Sequence, residues 1–304
     1  MSDTHTRSDG DRHQTAPEPS VGPIATATPG VTGRPGLISA VTVGLLGIVT
    51  VVPFYLWDYH LQEKGRSAES IEMSYMRMTN MHVFWAIPVI MATGIAALLW
   101  AWLSVALGLL DSGRMIRWLP LTRAQIDRLH RHISLLVIAL IVAHAATTAF
   151  DAMGDNLLTV FVPFTQTWKQ AAFAYQLGIF ALYLAILLGP SYYLRRLITP
   201  ARWRIMHRAS LIVYILSVWH ALILGSEPAY YSWIRPVMWL AQLPLLALLA
   251  HRLLRPAARA RNPHTATVIR GNTVRRAFLT LDAAAAVAVI AIVTSGHSGF
   301  IAHV

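Results

Sequence analysis

The chain contains no cysteine. That absence excludes disulfides, thiolate-held iron–sulfur clusters and covalently attached c-type haem, all of which need a thiol. A redox cofactor here has to be held by His, Met or Tyr. Charge is also scarce: 13% of the 304 residues are charged, against about 25% in an ordinary soluble protein. Acidic residues are the scarcer sign, 14 against 25 Lys and Arg, for a net charge of +11. A basic balance invites a nucleic-acid reading. The arginines, however, sit in short clusters between long uncharged stretches, which is the pattern of a membrane protein's loops. No internal repeat is found. No phosphate-binding glycine loop is present either, because GVTGRPG at 30–36 has neither the preceding strand nor the following helix that such a loop needs.

What is present is hydrophobic sequence, at 55% of residues and a mean hydropathy of +0.50. Seven apolar stretches read as membrane spans: 37–57, 83–110, 133–150, 171–194, 209–225, 236–250 and 277–293. The sixth is short and contains Pro244, and the seventh carries Asp282. The reading is therefore an all-α polytopic membrane bundle. Residues 1–36, rich in Ser, Thr, Pro and Gly, read as a disordered tail. Residues 37–254 read as a six-helix core, and 255–304 as a basic loop followed by a seventh span. Lys and Arg alternate between loops. Arg114, Arg117, Arg123 and Arg128 follow span 2; Arg195, Arg196, Arg202 and Arg204 follow span 4; seven arginines from Arg252 to Arg276 follow span 6. The loops after spans 3 and 5 hold only Lys169 and Arg235. This bias predicts a plasma-membrane protein with its N-terminus in the cytoplasm and its C-terminus outside.

An ionisable side chain within a span is costly, so it marks a functional candidate. Span 3 reads LHRHISLLVIALIVAHAATTAF and span 5 WRIMHRASLIVYILSVWHALILG. His130 and His144 are 14 residues apart, and His207 and His220 are 13 apart. At about 1.5 Å per residue, each pair is separated by roughly 20 Å along its helix. Spans 3 and 5 run in the same direction, so His130 shares a depth with His207, and His144 with His220. Two axial pairs at two depths form a ladder suited to two b-type haems, one near each surface. Fourteen residues return to the same stripe of a left-handed bundle, whereas 13 fall about 100° short of it. The two haems then sit at different rotations, or span 5 is locally irregular. His132, 12 residues from His144, falls on another face. The plainer reading of these histidines is polar helix packing or proton relay in a haem-free transporter or scaffold. Matched depths in two parallel spans favour ligation.

HRHISLLVIALIVAH and RWRIMHRASLIVYILSVWH resemble the two ligand helices of the ferric reductase-like transmembrane domain superfamily, which includes ferric reductases, NADPH oxidases and the haem-binding subunit of the methionine sulfoxide reductase system. FVPFTQTWKQAAFAYQLGIFALYLAILLGPSYYLRRL is similar to the fourth-helix region of its bacterial members, and the resemblance covers roughly 81–255. It implies haem b as cofactor, with His130 and His207 on the inner iron and His144 and His220 on the outer. Ferric reductases and NADPH oxidases continue into flavin- and nicotinamide-binding domains. Here about fifty residues follow span 6, so the expected electron donor is a separate flavoprotein or a quinol, with a redox partner possible at the outer face.

Haem propionates need cationic partners, and Arg131 and Arg208 each follow an inner ligand, with Arg128 and Arg204 one turn away. Lys169, Arg77 and Arg235 are the outer candidates. IEMSYMRMTNMH carries Met73, Met76, Met78, Met81 and His82. Such spacing suits either a Cu(I) site or an interfacial helix packed through methionines. Trp57, Tyr59, Trp168, Tyr192, Tyr193, Tyr230, Tyr231 and Trp233 mark an aromatic belt at span ends.

Overall fold

The computed structural model describes residues 33–63, 85–113, 121–150, 156–165, 172–194, 197, 199–225, 233–254 and 267–295. Among these the chain is helical without strands. The helices are α1 (Gly33–Glu63), α2 (Ala86–Gly113), α3 (Arg123–Thr148), α4 (Leu157–Phe161), α5 (Ala172–Leu188), α6 (Ser191–Leu194), α7 (Pro200–Leu224), α8 (Ile234–Leu240), α9 (Gln242–Leu254) and α10 (Thr267–Thr294). Seven stretches are long and apolar enough to cross a bilayer, as the sequence predicts. The Met-rich loop, Lys169 and the tail before residue 33 lie outside the described residues.

Several boundaries differ from the hydropathy reading. α1 starts at Gly33 and takes in 33–36, with Pro35 in its first turn, where a missing N–H costs nothing. α3 and α7 start well before their apolar stretches, because each is capped by a threonine. Thr122 and Gln125 form a reciprocal capping box, and Thr199 accepts the Arg202 N–H ahead of Pro200. Each inner histidine lies eight residues after its cap, which puts His130 and His207 at the same height within their helices.

The sixth span is broken at Ala241 into α8 and α9. Pro244 lacks the N–H that would bond Leu240, and its ring crowds that carbonyl. Carbonyls opened in a membrane need other donors. Trp102 Nε1 donates to the Ala241 carbonyl at 2.8 Å, and Gln242 Nε2 to that of Met238 at 2.7 Å. The Tyr214 hydroxyl donates to Gln242 Oε1 at 2.9 Å, tying α7 to the break.

Two packed groups carry the bundle. α1, α2 and α3 close around Val43, Leu107, Ile126, Ile133 and Val137. α2, α7 and α9 close around Ala106, Leu109, Tyr214, Val218, Leu222 and Leu245. α3 packs chiefly on α2, α7 chiefly on α5, and α10 on α8 and α9. The outer faces stay apolar: Leu37, Ile38, Val41, Leu45, Ile48 and Val49 of α1 are all exposed, as helices facing lipid require.

Gln242→Leu removes both the hydroxyl's acceptor and the donor to Met238. Unfolding in detergent should show a loss of roughly 0.6–1.7 kcal/mol, the range of interhelical membrane hydrogen bonds. Stability equal to wild type would mean that the break is held by packing alone.

Candidate haem-ligand site

The four ladder histidines come together in the pairs that the sequence predicts. The rings of His130 and His207 have centroids 5.9 Å apart and planes at 89°. Those of His144 and His220 are 6.3 Å apart at 86°. The backbones of α3 and α7 nevertheless stand apart, each helix resting on a different neighbour, so the two meet through imidazoles. α7 is unbroken α-helix. The 13-residue spacing is therefore a true difference of rotation between the two pairs, not a local irregularity. His132 is in neither ring pair.

Three of the four rings are held by a hydrogen bond at Nδ1. His144 Nδ1 meets the Ile90 carbonyl at 2.9 Å, and His220 Nδ1 meets that of Ala174 at 2.9 Å. A carbonyl only accepts, so both rings carry their proton on Nδ1 and leave Nε2 with a free lone pair. His130 Nδ1 lies 3.3 Å from the Ser104 hydroxyl, which in turn is 3.0 Å from Ser134. His207 is held differently, its ring stacked on Trp203 at 5.1 Å and 11°.

The carbonyls can be reached because of glycines that the sequence reading missed. A Cβ on Gly94 would meet His144 Cε1 and Nδ1 at 3.1 Å, and one on Gly178 would meet those atoms of His220 at 2.7 Å. On Gly108 it would meet His130 Cε1 at 3.4 Å. In each case the Nδ1 partner sits four residues before the glycine, one helical turn along, on the strip that a Cβ would cover. The available signal was spacing. Gly94 and Gly108 are 14 residues apart, like His144 and His130 on the antiparallel α3.

The arginines divide. Arg131 bonds the Tyr192 hydroxyl, lies over that ring at 4.7 Å, and pairs with Asp127 at 3.6 Å. Arg208 is exposed. Arg252 of α9, counted in the sequence only as loop charge, is within electrostatic range of both His207 and Arg208. Arg252 therefore lies near His207, while Asp127 and Asp111 lie near His130.

A metal between two imidazoles, bonded to one nitrogen of each at about 2.0–2.1 Å with the ring centre roughly 1 Å further on, sets the centroids about 6 Å apart. Both pairs meet that separation. Among the described residues no cluster of three or more His, Cys, Asp or Glu side chains forms. Two imidazoles at that separation at each of two levels instead fit a planar group that brings its own equatorial ligands, as haem does.

Residues 93–218 match the family described as ferric reductase like transmembrane component. The stretch runs from α2 through most of α7. It includes His130, His144 and His207, and His220 follows two residues beyond it. Over that stretch the chain is similar to ferric reductase-like transmembrane components, and the match points to transmembrane electron transfer in general. No curated protein and no solved structure matches the chain.

Adding a methyl at each glycine should cost in the order of crowding. Helix propensity gains up to about 1 kcal/mol from Gly to Ala, and overpacking costs about 1–3 kcal/mol. Gly178→Ala is expected to be destabilised, Gly94→Ala less so, and Gly108→Ala near neutral, as read by thermal unfolding in detergent. Equal behaviour of all three would refute the close approach.

Proposed function

We propose that the chain, through its ferric reductase-like domain, carries electrons across the plasma membrane by way of two b-type haems. His130 and His207 hold the inner one, and His144 and His220 the outer. The donor is a cytoplasmic flavoprotein or a membrane quinol, and the acceptor lies outside. The N-terminus is cytoplasmic and the C-terminus is outside. One observation carries the reading: two imidazole pairs, at two depths, each at the centroid separation that a shared metal requires.

Each haem supplies a reversible one-electron couple. The protein does the rest. The Ile90 and Ala174 carbonyls and the Ser104 hydroxyl hold Nδ1 of three rings, which would leave Nε2 as the ligating atom, and a hydrogen-bonded ligand is a more basic one. With both histidines of a pair on one iron, the group would pass electrons rather than bind substrate at the metal. Arg208 and Arg252 would offer the inner propionates cationic partners, with Arg131, next to His130 in sequence, as a third.

The reduced-minus-oxidised spectrum of detergent-purified protein, with a pyridine haemochrome count, should give two b haems per chain. His144→Ala and His220→Ala should each remove the outer one and spare the inner. Ferric protein should show highly anisotropic low-spin EPR signals, because near-perpendicular imidazole planes leave the iron orbitals almost degenerate. A colourless protein, expressed with adequate haem, would reject electron transfer in favour of a haem-free transporter or scaffold.

A further inference from the structure

His207 differs from the other three histidines in its company. Among the described residues it alone of the four has a ring contact beyond the imidazole it faces, its ring stacking on Trp203 at 5.1 Å and 11°. The contact continues outward. Trp203 meets the ring of Tyr192 edge-on at 6.4 Å, and Tyr192 meets that of Tyr193 at 5.6 Å. Tyr192 is half-buried and is pinned by Arg131, which bonds its hydroxyl and lies over its ring at 4.7 Å. Tyr193 is 58% exposed, and Leu197, just beyond α6, is 83% exposed. A row of aromatic rings, each within contact range of the next, therefore runs from the surface of α6 to the inner histidine of α7.

Charge is divided between the two sides of the inner pair. On the α2–α3 side, Asp111 and Asp127 lie near His130. They pair with Arg123 and Arg131, which leaves Arg128 outside those pairs. On the α7 side, Arg202, Arg204 and Arg208 are exposed, and among the described residues none of them pairs with an acid. Arg252 of α9 lies within electrostatic range of Arg208 and adds to them. Uncompensated positive charge is thus concentrated where the aromatic row surfaces.

We infer that this α6–α7 corner is the electron entrance. An acidic flavoprotein docks on the arginines of α7, and its electron reaches the inner haem by way of Tyr193, Tyr192 and Trp203. This entrance presupposes the haem reading above and selects a protein donor over a quinol. One electron moves: an anionic reduced flavin becomes the anionic semiquinone, the inner ferric iron becomes ferrous, and no bond forms or breaks. The two features have separate duties. Charges at the rim of a contact set the encounter rate and its salt dependence. The rings act after docking, because their delocalised orbitals span the distance from the surface to the ligand without a gap of saturated side chain.

The test is stopped-flow reduction of the full-length protein in nanodiscs, with flavodoxin hydroquinone as the acidic flavoprotein and menadiol as the quinol. His130→Ala identifies the inner haem by its loss, and the inner midpoint potential is measured for each variant. Flavodoxin should reduce the wild-type inner haem at a rate that falls steeply with salt. Arg202→Gln combined with Arg204→Gln should lower the second-order rate about tenfold, flatten its salt dependence and spare the limiting rate at saturating flavodoxin. Menadiol, being uncharged, should reduce that variant as it does wild type. Trp203→Leu should do the reverse, slowing the limiting rate several-fold at an unchanged inner potential. Trp203→Phe keeps a ring against His207 and should restore it. Flavodoxin rates untouched by the arginine changes would mean that these side chains face lipid headgroups, and would overturn the inference. A limiting rate indifferent to Trp203→Leu, or slowed only as a shifted potential accounts for, overturns it too. If Trp203→Leu loses the inner haem, Tyr193→Ser, farther out on the row, decides by the same limiting rate. Wild-type protein that menadiol reduces and flavodoxin does not also overturns the entrance, while the haem reading stands. Protein without haem overturns the ligand reading first, and this inference with it.

Discussion

An imidazole in a bilayer needs somewhere to put its N–H. No water is available, and nearly every backbone carbonyl within reach is already bonded inside its own helix. The bundle meets this need by letting a ring lie directly against the neighbouring helix, where a carbonyl's second lone pair can be shared. Only a residue without a side chain one turn along leaves room for that contact. His144 on Gly94 and His220 on Gly178 are the plain cases. Much else follows from it. The antiparallel pairs α2–α3 and α5–α7 must hold their register, and the ligand helices must back onto different partners. The two rings of each pair then lie about 6 Å apart between α3 and α7.

The same contact explains why the ring planes are nearly perpendicular. Each imidazole's plane is set by the helix behind it, through the bond at Nδ1 or, for His207, through the indole of Trp203. The ring it faces has no say. The planes cross at both depths, His144 and His220 being backed by α2 and α5, and His130 and His207 by Ser104 of α2 and by Trp203 of α7 itself. The orientation of the imidazoles is a property of the scaffold.

Much of this was legible in the sequence. Six uncharged stretches and a seventh with a single Asp marked the spans, and paired histidines in two parallel spans marked the depths. Those signals are local, because apolar length and residue spacing are properties of one helix. What was not legible depends on pairs of helices. α1, α5 and α7 are apolar nearly all round, so hydrophobic periodicity does not say which face meets which neighbour. Nothing in the string marked α2 as the support of α3, or α5 as the support of α7. The starts of α3 and α7 were missed for another reason: Thr122 and Thr199 extend helix into polar sequence that a hydropathy window discards. The break at Ala241 was half visible, since Pro244 announced trouble. Its repair by Trp102 and Gln242 comes from elsewhere in the chain.

The matched fourteen-residue intervals in α2 and α3 also limit how this protein can change length. A residue inserted between Gly94 and Gly108 would shift one end by about 1.5 Å and about 100°. Whichever histidine kept its glycine, the other would face a side chain. An insertion between His130 and His144 does the same from the opposite strand of the pair. These two segments are in effect counted rulers, tolerant of exchange at most positions but not of gaps. The connections between helices carry no such count. Length variation among related chains should therefore collect in the loops and stop abruptly at the glycines, which makes an ungapped fourteen-residue block a more specific fingerprint of this architecture than any single histidine.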